Sequence, residues 1–367
     1  MKRNPVFSLI ALSLLATGFT AQVTAAESAV HLYNWTNFID PQAPKDFTAE
    51  TGIKVVNSTF DSADAMQSKL MAGRSGNDVV VATSNVLPNL IAAGVLQELD
   101  RSQLTNWTHL SPDILKQLQT NDPGNRYAVP YLWGTTGIGY DVDKVKAALG
   151  DNAPVNSWDL VFKEENISKL KQCGVAMLDA PSEIISIALN YLGLPYNSQN
   201  PEDYEKAQAL LLKIRPYITY FDSSKLVQDL ANGNTCMIVS WAGDASAAID
   251  VSEKAKNGRK IAYSIPKEGA LVWSENFVLL KDAPHPVAGT KFIDYMMRPD
   301  VMSKVSNYTG YPTGIKDVKP VQSQKLIDNP GLNPSSDVIK TLFPLEPLPL
   351  KYERIRTRVW VKVKSGV

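Results

Sequence analysis

The chain is expected to fold as a two-lobed α/β protein with several crossings between the lobes, and three observations carry that expectation. Short apolar runs of strand character alternate with helix-forming segments along most of the sequence, a pattern that builds a mainly parallel sheet with helices on its faces. Two long extended stretches interrupt the alternation. One runs from Tyr127 to Lys144, with Pro130, Gly134, Gly137 and Gly139 at its middle, and the other from Ile265 to Leu280. Both read as passages between lobes rather than as flexible linkers. Finally, setting aside an export signal of 26 residues leaves 341 of the 367, more than one core commonly supports.

That signal is residues 1–26. Lys2 and Arg3 precede an apolar run from Val6 to Ala21, and Val23 to Ala26 offer small residues for cleavage. The run is shorter than a membrane span, which needs about 20 residues. Losing Lys2 and Arg3, with no acid, leaves 35 basic residues against 37 acidic ones, a net charge of −2. Such a balance gives no footprint for nucleic acid.

The remaining elements follow in order. Val30 to Asn34 is a buried strand that stops at Trp35, where Thr36, Asn37 and Phe38 precede Pro41 and Pro44, residues suited to a turn and a helix start. A helix through Phe47 to Gly52, a strand Ile53 to Phe60, a helix Ser62 to Gly73, a strand Asp78 to Ala82 and a helix to Gly94 complete the first lobe's opening. Beyond the first crossing come a strand Val175 to Leu178, helices Ser182 to Leu192 and Asp203 to Lys213, and a strand Ile218 to Phe221. A helix Lys225 to Asn232 and a strand Cys236 to Ser240 follow. The second crossing leads to the helices Val287 to Met297 and Pro299 to Val305, with a third crossing expected near Gly310 to Thr313. Leu350 to Lys364 suits a helix, although Val359, Trp360, Val361 and Val363 also suit a strand.

Two strand ends share a design. Trp35 closes the first strand and Trp241 closes Cys236 to Ser240, with Asp244 at the start of the helix beyond. In open α/β sheets ligands bind outside the carboxyl ends of strands, so these two stretches are candidate walls of one cleft; the alternative for each is an ordinary core tryptophan. His31, His109 and His285 are isolated in sequence and two distant cysteines fit no zinc spacing, so no metal and no cofactor are expected. There is no G-x-S-x-G elbow and no G-x-G-x-x-G fingerprint, which weakens the enzyme class. In an exported protein the only two cysteines, Cys173 and Cys236, read first as a disulfide, with two buried thiols as the alternative.

A resemblance then covers essentially the whole mature chain. NWTNFI at Asn34, FDS at Phe60, KLMAG at Lys69, TTGIGYDVDKVK at Thr135 and CGV at Cys173 are similar to the bacterial periplasmic putrescine-binding protein family. So are LDAP at Leu178, NYLG at Asn190, DLANG at Asp229, WAGD at Trp241, IPKEGA at Ile265 and the C-terminal RTRVWVKVKSG. The resemblance implies a hinged type II periplasmic binding fold that is monomeric, closes on a polyamine without catalysis and passes it to inner-membrane ABC permease subunits. The implied lobes are residues 27–136 with 267–308, and 137–266 with 309–367.

Carried over residue by residue, the family's pocket falls on Trp35, Thr36, Asn37, Phe38, Thr83, Glu183, Ser223, Trp241, Asp244, Trp273, Glu275 and Tyr311. Aromatic faces suit the methylenes and the ammonium groups of a diamine, and carboxylates suit its charged ends. The family's typical pattern has Asp at the position of Asn37, Tyr at Phe38, Ser at Thr83, Asp at Glu275 and Phe at Trp273. The carboxylate lost at Asn37 opens a second expectation, a monoamine or an amino-acid-like amine such as γ-aminobutyrate or agmatine. An exported enzyme acting on amines is the expectation from another class.

Overall fold

The computed structural model describes residues 29–36, 38–60, 63–318, 329 and 331–367. The expected export signal, Asn37 and both Asp61 and Ser62 of the FDS word lie outside the described residues. Ten strands form one sheet: β1 (Ala29–Trp35), β2 (Lys54–Phe60), β3 (Val79–Thr83), β4 (Ala128–Asp141), β5 (Val175–Met177), β6 (Tyr220–Phe221), β7 (Met237–Trp241), β8 (Ile261–Ser264), β9 (Leu271–Leu279) and β10 (Phe343–Pro344). Their order is β2-β1-β3-β9-β4-β7-β5-β6, with β8 on β4 and β10 on β9.

The sheet is mixed, which corrects the expectation of a mainly parallel one. The outer strands are parallel, as β1 is to β2 and β3, and β5 to β6 and β7. The long middle strands are antiparallel: β9 to β3, and β4 to β9, β7 and β8. β10 is parallel to β9, while the chain passes out along β4 and back along β9, which sets those two strands antiparallel to each other.

Side-chain alternation fills the cores. Val79 and Val81 enter one with Val30, Leu32, Phe47 and Phe292. Val80 and Ala82 point the other way, to Tyr33, Met66, Leu87 and Leu90. A separate core gathers Val175, Met177, Ile238 and Val239 with Trp158, Ile185, Leu189 and Leu211. Two strands reach both sides. β4 gives Val129, Tyr131 and Leu132 to the first core and Ile138 to the second, while β9 gives Phe277 and Leu279 to the first and Leu271 to the second.

The third passage lies further along than Gly310 to Thr313. Ile315 and Val318 still pack in the first core, whereas Leu332 lies with Ala242, Ala245 and Tyr263, and Phe343 with the second core. Leu350–Ser365 is a helix, because Val359, Trp360 and Val363 fall on one buried face while Val361 is exposed. Cys173 and Cys236 are bonded, just before β5 and β7 respectively. Among the described residues no helix is long and apolar enough to cross a membrane.

Candidate ligand-binding site

The carboxyl end of β1 lies beside that of β3, and β9 runs antiparallel past β3 with Glu275 opposite Thr83. That register brings three side chains together. The Trp35 indole N–H donates to Glu275 Oε2 at 2.9 Å and the Thr83 hydroxyl donates to Oε1 at 2.7 Å. Glu275 is almost fully buried. Burial pushes its carboxyl up to about 8, although the two hydrogen bonds pull the other way.

A matching arrangement closes the other side. β7 ends at Trp241, paired with Thr136 on β4, and the helix Ala242–Ala255 starts at once. The Trp241 indole N–H lies 3.1 Å from both carboxylate oxygens of Glu183, and the Thr136 hydroxyl donates to the same group. Glu183 belongs to the first turn of the helix Pro181–Tyr191. Its carboxyl is also raised, by desolvation above all. Asp244 accepts from the Trp241 backbone N–H, its other oxygen Oδ2 is buried without a partner, and it is held at about 7 by burial and then by the charge of Glu183.

Aromatic rings occupy the space between. Tyr311 meets Trp273 edge to face at 5.4 Å and Phe38 at 5.4 Å, and Phe38 packs on Tyr131, whose hydroxyl donates to the Phe38 carbonyl at 2.7 Å. The Trp273 indole N–H is buried and unpaired. Burial holds the Tyr311 phenol well above its usual range, followed by the charges of Asp244, Tyr263, Glu275 and Glu183. Three carboxyl groups from both halves of the sheet therefore act on one phenol. Two glycines make room for these rings: a Cβ on Gly134 would lie 2.5 Å from the Trp273 ring, and one on Gly243 would lie 2.0 Å from that of Tyr311.

Two candidates stand apart by their contacts. Thr36 is exposed and donates its backbone N–H to Phe60, and the Ser223 hydroxyl accepts from the Asp179 backbone N–H. Asn37 is outside the described residues. Sequence reading missed Thr136, which holds Glu183, and Tyr263, whose hydroxyl donates to the Thr135 carbonyl at 2.8 Å. Thr136 sits inside the glycine-rich crossing; no sequence signal points to Tyr263.

The histidines require a correction. His31 and His285, isolated in sequence, both lie against Asp78, because β1 and β3 are neighbours and the loop before the helix Pro286–Met296 folds over them. His109 lies with Asp317 instead.

Residues 42–334 match the profile of the bacterial extracellular solute-binding proteins. A putrescine/agmatine-binding protein of Pseudomonas aeruginosa is 64% identical over 97% of this chain and 98% of its own length. The putrescine-binding periplasmic protein PotF of Escherichia coli is 46% identical over 98% of this chain and 97% of its own length. Among solved structures, the spermidine/putrescine ABC transporter substrate-binding protein PotD of Streptococcus pneumoniae superposes with a TM-score of 0.82 at 26% identity, over 92% of this chain and 99% of that one.

Proposed function

This chain belongs to the bacterial extracellular solute-binding proteins, and from that premise we propose that it captures a polyamine of the putrescine or agmatine kind between two lobes and delivers it to an ABC permease. The observation that carries the proposal is the charge arrangement of the cleft. Glu275, Glu183 and Asp244 are all raised by desolvation, and among the described residues none is paired with a lysine or arginine. Buried carboxyls with no internal cation favour a ligand that brings positive charge.

The roles follow from position. Glu275, fixed by Trp35 and Thr83, would receive one cationic end; Asp244, with its unpartnered oxygen, and Glu183 would receive the other. Phe38, Trp241, Trp273 and Tyr311 would cover the methylenes, each cation-π contact adding roughly 0.5 to 2 kcal/mol. Thr36, Asn37 and Ser223 would complete the rim. The lobes in this reading are residues 27–136 with 267–308 and 137–266 with 309–367, although Ile315 and Val318 pack with the first core and Leu271 with the second, and they move about β4, β9 and the third passage. A monomer in the periplasm, exported by residues 1–26, accords with this role.

Calorimetry on ligand-stripped protein with putrescine, agmatine, cadaverine, spermidine and γ-aminobutyrate tests the proposal. Saturable binding of putrescine or agmatine, tighter than that of γ-aminobutyrate, is expected. Binding of γ-aminobutyrate alone would replace the polyamine reading with the monoamine one. Loss or conversion of the amine during incubation would establish the enzyme alternative.

A further inference from the structure

His31, Asp78 and His285 meet at the amino ends of β1 and β3, opposite the strand ends that line the cleft. His31 stands near the start of β1, four residues before Trp35 and thus about 13 Å away along the strand. Asp78 immediately precedes β3, and His285 immediately precedes the helix Pro286–Met296. Both histidines direct Nδ1 at the same atom, Asp78 Oδ2, each at 3.3 Å. The two rings lie 5.2 Å apart between centroids. One ligand atom from each residue lies within 4.8 Å of the other two.

The Asp78 side chain is fully buried, whereas those of His31 and His285 are 33% and 30% exposed. The backbone fixes the carboxylate firmly. It accepts the His31 N–H on Oδ2 at 2.7 Å and the His285 N–H on Oδ1 at 2.6 Å. Ordinary pairing of the rings with Asp78 fits less well, since a charge-assisted N–H···O bond is about 2.7–2.9 Å long. Ligands of a tetrahedral ion, bonded at about 2.0–2.1 Å, stand about 3.3 Å apart.

We propose that His31, Asp78 and His285 form a binding site for a divalent transition-metal ion of the zinc type. Two imidazole nitrogens and one carboxylate oxygen supply three ligands, and the partly exposed histidines leave the fourth position to solvent. Imidazole with carboxylate suits Zn²⁺, Ni²⁺, Cu²⁺ and Co²⁺ rather than Mg²⁺ or Ca²⁺, which take oxygen ligands. A bound ion would clip the start of β1 and the approach to β3 to the loop before Pro286. The cleft at the far ends of these strands would keep its geometry.

The test uses tag-free, EDTA-treated mature protein. Titration with Zn²⁺ by calorimetry should give one site, and Co²⁺ should give visible absorption of tetrahedral type. His31→Gln and His285→Gln should each weaken Zn²⁺ binding at least about tenfold, the lower bound of what even an outer partner of a metal-bound histidine contributes. His109→Gln should leave it unchanged. Putrescine titrations and circular dichroism of the same variants establish that they are folded. Failure of the parent to bind one equivalent overturns the site, and so does binding that survives in the two single variants.

Discussion

Asp244 combines a capping contact with a proposed ligand contact, and a single substitution separates the two. It is the third residue of the helix Ala242–Ala255 and accepts the backbone N–H of Trp241, the residue before the helix, as a capping group does. Its second oxygen is buried and free. Asn can keep the first contact and not the second, so Asp244→Asn should leave the melting temperature nearly unchanged while weakening a diamine by about 2 to 5 kcal/mol. Parent-like binding in calorimetry would reduce Asp244 to a cap. The raised carboxyls also set a pH dependence. A carboxyl raised by burial stabilises the ligand-free fold below the ordinary carboxyl range, and that contribution is lost as pH rises through about 7 for Asp244 and about 8 for Glu275. A bound diammonium needs both ionised, so it releases protons, and its affinity should rise at least about tenfold between pH 6 and pH 8. Calorimetry in buffers of different ionisation enthalpy measures the release; pH-independent affinity with no proton exchange would contradict it.

At the scale of elements, one glycine joins a helix to a ring. The Tyr311 ring lies against Gly243, where an added Cβ would come within 2.0 Å of it. Gly243→Ala should therefore displace Tyr311, disturb Trp273 and Phe38 with it, and lower stability by about 1–3 kcal/mol through overpacking. Polyamine affinity should fall as well, and an unchanged titration would place the ring outside the binding surface. The disulfide acts on a different element pair. Cys173 and Cys236 lie 63 residues apart and 5.4 Å between Cα atoms, and they join the approaches to β5 and β7. Replacing both by serine should lower stability by about 4 kcal/mol on the chain-entropy view, with polyamine affinity retained. Denaturant titration of parent and variant decides between that outcome and a bond without thermodynamic weight.

For the whole molecule, β4 and β9 decide the behaviour. Each carries side chains in both core regions, which makes these strands the hinge of the proposed closure. Ligand held between Glu275 on one side and Asp244 with Glu183 on the other should favour the closed arrangement. Small-angle scattering should show a smaller radius of gyration with putrescine than without, and identical curves would argue against closure. Saturation at a hundredfold over Kd should add about 2.7 kcal/mol to stability, read as a rise in melting temperature.

The sequence by itself determined most of the elements and the residues proposed for the site. Period-two and helical patterns locate β1 to β3 and β5 to β7, and the aromatic ends of β1 and β7 suggest both proposed walls before any resemblance is considered. The family resemblance, carried over residue by residue, then proposes Thr83, Glu183, Trp273, Glu275 and Tyr311. Local pattern reports which face a residue takes but not which distant strand lies beside it. Tertiary pairing alone made the middle of the sheet antiparallel, set Glu275 opposite Thr83 and brought Thr136 to Glu183. The same long-range pairing brought His31 and His285 onto Asp78, across separations of 47 and 207 residues that no sequence motif spans.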